Sequence, residues 1–333
     1  MLNFQDLPDE LVLKVLRYSE TRDLISCGRV SRRIRRISYD STLWVSANLE
    51  KKIVKTDFLE VILKKGCRIL NLCHSTILGT FSSNIESQLR VLNLSQLAWT
   101  DENTAALEEL LFSCCSLQEL VMEEVDLTMK MVVSICVNGK TLETLNLHSA
   151  DSDILIDKSS FPFTYYSPMK EIIQCCQELK EVDLAYVNYS NGLSDDDLDY
   201  LLKNIPPNVE KLNLINTFVM DRDVKTLLSR CTKIKALGLE ARCITDNSIK
   251  NIKKHLNLTL EELSLGRTVV RNPLNIEISF NGFLELKSMQ RLKFLNIYYR
   301  NDDDEEIQNL RQHLPHLIVK CALNFSPIDK IFI

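Results

Sequence analysis

Glycine is scarce in this chain, with eight among 333 residues, and proline is no commoner at eight. There is no Walker-type phosphate loop, no Gly-rich nucleotide turn and no G-x-S-x-G, so an active site built on glycine flexibility is excluded. No apolar run approaches the roughly 18 residues needed to cross a bilayer, which argues against a membrane partner. The start Met1-Leu-Asn-Phe-Gln-Asp lacks the basic and apolar regions of a secretory signal. Eleven cysteines form no paired C-x-x-C framework, and an odd number leaves at least one unpaired, so a reducing compartment is expected, nucleus or cytoplasm. Charge of one sign is also lacking: a net charge of -5 argues against general nucleic-acid binding.

What the chain does have is a recurring apolar spacing. Leu89-Arg-Val-Leu92-Asn-Leu94 returns as Leu117-Gln-Glu-Leu120-Val-Met122, Leu142-Glu-Thr-Leu145-Asn-Leu147, Leu179-Lys-Glu-Val182-Asp-Leu184 and Val209-Glu-Lys-Leu212-Asn-Leu214. It continues through Ile234-Lys-Ala-Leu237-Gly-Leu239, Leu260-Glu-Glu-Leu263-Ser-Leu265, Leu292-Lys-Phe-Leu295-Asn-Ile297 and Leu314-Pro-His-Leu317-Ile-Val319. The last two apolar positions of each copy face one side of a strand, and the residues flanking them face the other. Between copies, spacings of three and four, as in Leu107, Leu110, Leu111 and Leu198, Leu201, Leu202, predict helices. A strand and a helix in about 20–29 residues is the unit of a leucine-rich repeat, and such units must stack because none can bury its own apolar face. The expected fold class is α/β, a solenoid of about ten repeats with a parallel concave sheet and helices on its convex side.

The first forty-odd residues do not repeat. Leu7-Pro8-Asp9-Glu10 marks a helix start, followed by an apolar stripe of Leu11, Val12, Val15 and Leu16. A second helix is expected from Thr21 to Cys27, and a third carries Val30, Ile34 and Ile37 with Arg32, Arg33, Arg35 and Arg36 around them. Periodicity leaves two readings open, a private helical cap for the array or a module that docks another protein. The basic run reads as the solvated face of a helix, with nuclear import as the alternative. The expected boundaries are 1–45 for the helical module, 46–66 for a helical connector, 67–320 for the array and 321–333 for a tail.

Acid runs after Thr100, Ser194, Thr245 and Asn301 read as helix caps rather than metal ligands. Cys114-Cys115, Cys175-Cys176 and Cys231 sit at matching repeat positions, where small thiols suit tight corners. The long spacing between Leu142 and Leu179 predicts a loop over Ser149–Ser167 that leaves the array. Strand geometry nominates Thr144, Asn146, His148, Glu181, Asp183, Ala185, Lys211, Asn213, Ile215, Glu240, Glu262, Ser264, Phe294, Asn296 and Tyr298 for the concave surface. The surface turns from acidic to basic and aromatic as Arg242, Arg267, Arg271, Arg300 and Lys320 come in near strand ends. Arginine and aromatics favour binding hot spots and phosphate recognition.

Leu7-Pro8-x-Glu10-Leu11, then Leu16, Leu24, Val30, the basic run and Asp40 through Leu43-Trp44 resemble the F-box, departing from it at Ser31 and Ile34. Cys243-Ile-Thr-Asp246 resembles the turn of cysteine-containing leucine-rich repeats. Leu263-Ser-Leu-Gly-Arg267, the Leu310–Cys321 segment and the ending Ile328-Asp-Lys-Ile-Phe-Ile333 are similar to the S-phase kinase-associated branch of F-box proteins with leucine-rich repeats. The resemblance implies a non-catalytic substrate receptor of an SCF-type ubiquitin ligase, without cofactor or metal. Leu7, Pro8, Leu11, Leu16, Leu24 and Val30 would touch or shape the surface for the SCF adaptor, which brings the cullin. Arg242, Arg267, Arg271, Phe294, Tyr298 and Arg300 would hold a phosphorylated cell-cycle protein, with a small cyclin-kinase regulatory subunit as accessory partner. The competing readings are a repeat receptor for a small anionic ligand and a plain scaffold.

Overall fold

A computed structural model describes residues 7–81, 85–97, 100–150, 168–187, 195–241, 243–266, 278–298 and 304–322. The chain forms two compact units, Met1–Thr141 and Leu142–Ile333. In the first, α1 (Asp9–Leu16), α2 (Thr21–Cys27) and α3 (Arg32–Ser38) are followed by β1 (Ser46–Asn48), β2 (Ile53–Lys55), α4 (Thr56–Lys64), β3 (Ile69–Asn71) and β4 (Thr76–Leu78). Then come β5 (Val91–Asn93), α5 (Asp101–Ser113), β6 (Glu119–Val121) and α6 (Met129–Val137). The order β1-β3-β5-β6 is parallel throughout, and β2 pairs separately with β4.

The pairing of β1 with β3, Ala47 opposite Leu70, corrects the expected connector over 46–66: that segment is itself a repeat. Trp44, Ala47 and Leu49 are buried at the spacing that Leu89, Leu92 and Leu94 occupy later. A large residue at the first position and a small one at the second disguise the pattern. Trp44 donates its Nε1 hydrogen to Ser38 O at 2.8 Å and meets the Phe58 ring edge-on at 5.7 Å, so the end of α3 is fastened to α4 through one indole.

The second unit runs β7 (Thr144–Asn146), α7 (Pro168–Cys175), β8 (Glu181–Asp183), α8 (Asp195–Asn204), β9 (Lys211–Asn213), α9 (Asp221–Leu228) and β10 (Ala236–Glu240). It continues with α10 (Asp246–Leu256), β11 (Glu262–Gly266), α11 (Phe280–Leu284), β12 (Phe294–Tyr298), α12 (Glu305–His313) and β13 (Ile318–Ala322). Its strands are parallel and adjacent in chain order. Leu145, Val182, Leu212, Leu237, Leu263 and Leu295 stack in register with at most 1% exposure, each contributing about 1.5–3 kcal/mol by burial. The expected loop lies mostly at 151–167, outside the described residues, and so does the tail from 323 onwards.

The residue between the paired apolar positions ends the strand. Asn48, Asn71, Asn93, Asn146, Asp183 and Asn213 each accept, through Oδ1, the backbone N–H two residues on, at 2.9–3.3 Å. This Asx geometry turns the chain out of the sheet. In β6 the equivalent residue is Val121, which has no acceptor, and the Glu123 N–H goes instead to Ser95 Oγ at 3.2 Å. Three residues after each of these strands a non-glycine residue is left-handed: Lys51, His74, Gln96, Glu124, Ser149, Tyr186 and Asn216, with φ between 52° and 60°. Such a conformation costs about 1–2 kcal/mol. Five of these residues donate their N–H to the next repeat, as Lys51 to Cys73 O and Tyr186 to Ile215 O, which offsets the strain.

The acids at the helix starts do more than cap. Asp221, the first residue of α9, accepts from Thr245 N at 2.9 Å, from Thr245 Oγ1 at 2.5 Å and from Ser248 Oγ, and so holds the start of α10. Asp246 does the same for Ser279 ahead of α11, accepting from its N–H at 2.7 Å and its Oγ at 2.6 Å. Burial raises the Asp221 carboxyl, but the bonds from Ser248 and Thr245 outweigh it and the net shift is downward from 3.8. Asp221→Ala should therefore cost about 1–3 kcal/mol in denaturant unfolding at neutral pH, leaving two hydroxyls and an N–H without their acceptor. Since the folded carboxyl titrates below the unfolded one, this contribution is present above pH 3.8 and is lost as pH falls through the lower folded value. The gap between wild type and variant should accordingly close in acid.

All eleven cysteines are free thiols. Cys67 fills a leucine position, and Cys114, Cys176 and Cys231 lie at the helix-to-strand corners; all four are buried. Burial pushes the thiols of Cys67, Cys114 and Cys231 up to about 11 and that of Cys176 to about 12, keeping them protonated and unreactive. Iodoacetamide on the folded protein, read by peptide mass spectrometry, should label exposed Cys115 and leave these four untouched until denaturant is added.

Candidate functional site

Two surfaces carry the residues singled out in the sequence. The first is on α1–α3. Pro8 opens α1 with φ -56°, a conformation its ring already holds. Asp9 then receives Arg33 Nε at 2.8 Å and, on its other oxygen, Arg36, while Arg33 also donates to Leu7 O. The bond from Arg33 is the largest influence on the Asp9 carboxyl, which titrates below its ordinary value. Arg35 donates Nε to Gly28 O at 2.7 Å. The basic run, expected as a solvated face, is thus partly a clamp on α1 and α2. Ser31, a departure from the family pattern, is the cap of α3 and accepts from Ile34 N at 3.1 Å.

The apolar stripe of α1 splits in two. Val12 and Leu16 are buried at 0% and 3%, with Leu24 of α2 at 3%. Leu11, Val15 and Tyr18 lie 44%, 50% and 93% exposed, and Val30 after α2 is 74% exposed. Of the six residues expected to touch or shape the adaptor surface, Leu16 and Leu24 are core residues, placed to shape it from within by completing the packing of three short helices. Pro8, Leu11 and Val30 are open to solvent, and Leu7 is half-buried. Val15 and Tyr18 had not been singled out for contact; their spacing of four and seven from Leu11 was the available signal.

The second surface is the strand face of the second unit opposite its leucines. Its outer row, Thr144, Glu181, Lys211, Glu262 and Phe294, is half-buried, with Lys211 paired to Glu181 at 3.0 Å. The expected exposure of the next row fails: Asn146, Asp183, Asn213, Ser264 and Asn296 are all buried to 91% or more. Strands about 4.8 Å apart in exact register let short side chains cover one another. Asn213 Nδ2 donates to Asp183 Oδ2 at 3.0 Å, and Asn296 Nδ2 to Ser264 Oγ at 3.0 Å. Gly238 lies within this row because a Cβ there would come 2.3 Å from Asn213 Oδ1. His148, Ala185, Ile215 and Glu240 are buried as well, so they brace the face rather than display on it.

At the far end of this unit, Lys320 Nζ stands 5.0 Å from the centre of the Phe294 ring, and Glu262 accepts from Asn296. Burial pushes the Glu262 carboxyl up against the opposing influence of Asn296, Lys320 and Lys211. An aromatic, a cation and a carboxylate of adjacent strands therefore meet at one place. Tyr298 ends β12, while Arg242, Arg267, Arg271 and Arg300 lie outside the described residues.

No group of three or more metal-type ligands gathers among the described residues. The arrangement is one of recognition surfaces: an apolar helical stripe and a braced strand face.

Comparison with known proteins gives two family matches. A model described as "SKP2 LRR domain" matches residues 57–330, and one described as "F-box-like" matches residues 4–50. A chain in the crystal structure of the Rad7 and Elc1 complex in yeast is similar at 16% identity and a TM-score of 0.44, covering 93% of this chain and 87% of its own. With most of its length inside the first family and its beginning inside the second, the chain belongs to the F-box proteins whose repeats are of the SKP2 leucine-rich-repeat type.

Proposed function

We propose that this chain is a substrate receptor of an SCF-type ubiquitin ligase, holding the adaptor through α1 and the residue after α2 and a protein substrate through the strand face. The observation that carries the reading is the outward stripe of Leu11, Val15 and Tyr18 with nearby Val30. These helices already have a core side in Val12, Leu16 and Leu24, so a second apolar side calls for a partner. The F-box-like match over the same residues favours the SCF adaptor, and through it the cullin, over a bare cap.

The receptor would work without chemistry of its own, by raising the local concentration of substrate lysines near the charged conjugating enzyme. The substrate class proposed is a phosphorylated cell-cycle protein, a reading that rests on the resemblance to the SKP2-type repeat family. The Phe294 and Lys320 pair, together with Arg242, Arg267, Arg271, Tyr298 and Arg300, belongs to this proposal as its contact set, and the small cyclin-kinase regulatory subunit as its accessory partner.

Co-purification with the adaptor tests the first half. Leu11→Asp/Val15→Asp should abolish capture with thermal stability little changed, because both side chains are already solvated. Leu16→Ala should instead lower stability by about 2–5 kcal/mol through a core cavity. Failure of the folded wild-type chain to capture the adaptor would leave the helices as a cap and remove the ligase reading.

A further inference from the structure

Among the described residues of this net-acidic chain, the charged residues lining one groove are all cations. It lies where α2 and α3 meet the first repeat, opens to solvent with a volume of about 970 Å³, and has Arg22, Arg29, Arg35, Lys52 and Lys55 in its lining with no carboxylate in that lining. Some exposed basic residues of this unit have acids, Lys51 pairing with Glu50 at 2.9 Å, Lys64 with Glu60 at 3.1 Å and Arg36 with Asp9, while Lys14, Arg17, Arg32, Arg68 and Arg90 are scattered without an ion pair among the described residues. The five in the groove make no ion pair among the described residues. Five like charges lining one groove, with no acid in that lining, make it a favourable place for an anion.

The groove is held in shape independently of any ligand. Gly28 ends α2 so close to α3 that a Cβ would lie 3.3 Å from both Ser38 Oγ and the Tyr39 ring. Arg35, in the groove lining, donates its Nε to Gly28 O at 2.7 Å, and its two terminal nitrogens have no hydrogen-bond partner among the described residues. On the other wall, Asn48 N donates to Thr21 Oγ1 at 3.1 Å, joining β1 to the start of α2. Ser75 Oγ donates to Leu49 O at 2.7 Å and accepts from Lys52 N at 3.3 Å, fixing the turn before β2. Guanidinium forks and ammonium groups on walls that cannot collapse suit the oxygens of clustered phosphoryl groups, and the size is that of a small-molecule site.

We infer that this groove binds a soluble, compact ligand bearing several phosphoryl groups, separately from the apolar stripe and the strand face. The inference does not depend on the ligase reading, because the isolated full chain is the test material. Titration with inorganic triphosphate should raise its Tm and give saturable heat in calorimetry, whereas sulfate at matched ionic strength should do far less. Lys52→Ala/Lys55→Ala and, separately, Arg29→Ala should weaken triphosphate binding at least about tenfold while leaving the ligand-free Tm and the strand-face surface unchanged.

Three results would overturn the assignment. The first is no saturable triphosphate binding, or binding that these variants leave intact. The second is loss of binding once the adaptor is present in saturating amount, which would make the groove part of a protein interface. The third is co-sedimentation with vesicles carrying a phosphorylated inositol lipid without a response to soluble inositol hexakisphosphate, which would make the source a membrane surface.

Discussion

Cohesion in this chain comes from in-register parallel stacking of very short strands. Three residues, as in β5 or β9, give too few hydrogen bonds and too little apolar surface to hold a strand by itself. Each strand is therefore stable only as the neighbour of the next, and the apolar side chains form a column instead of a ball. Everything else follows from keeping that column in register. The Asx acceptors end six of the strands at the same residue, five left-handed corners pass one further N–H across, and Asp221 and Asp246 tie successive helix starts together. Even the indole of Trp44 serves the register, since it seats the helical module on the first repeat.

The same stacking explains what is displayed and what is hidden. A row of short polar side chains spaced at the strand separation has no room for water between its members, so Asn213 and Asp183 bond to each other. Only longer side chains such as Lys211 and Phe294 project beyond this row. Specificity on such a face depends on a few long residues mounted on a stiff polar floor. The helical module solves the opposite problem, leaving an apolar side of α1 in solvent while its arginines brace the helices from behind.

Much of the repeat fold is legible in the sequence because the apolar spacing is local: Leu92 and Leu94 declare a strand without reference to anything distant. The first repeat escapes because Trp44 and Ala47 exchange size at two positions while keeping their spacing. The division of the α1 stripe is not legible, since Leu11, Val12, Val15 and Leu16 are all apolar and only the packing of α2 and α3 chooses the inner pair. Burial of Asn146 and Asp183 depends on the strands beside them, which single-strand alternation does not contain. The Asp9 clamp and the cationic groove join residues more than twenty positions apart, so their charges look scattered along the chain and converge only in three dimensions.

The left-handed corners have a consequence for how such a chain diversifies. Had each corner been glycine, the turn would be easier and the chain uniform along its rim. Instead Lys51, His74, Gln96 and Glu124 in one unit, and Ser149, Tyr186 and Asn216 in the other, occupy equivalent turns with seven different side chains. At five of these corners the backbone bond across to the next repeat uses the main-chain N–H and is indifferent to what the residue carries. Within each unit these corners thereby work as interchangeable sockets, where a mutation can alter the surface without asking the fold for permission.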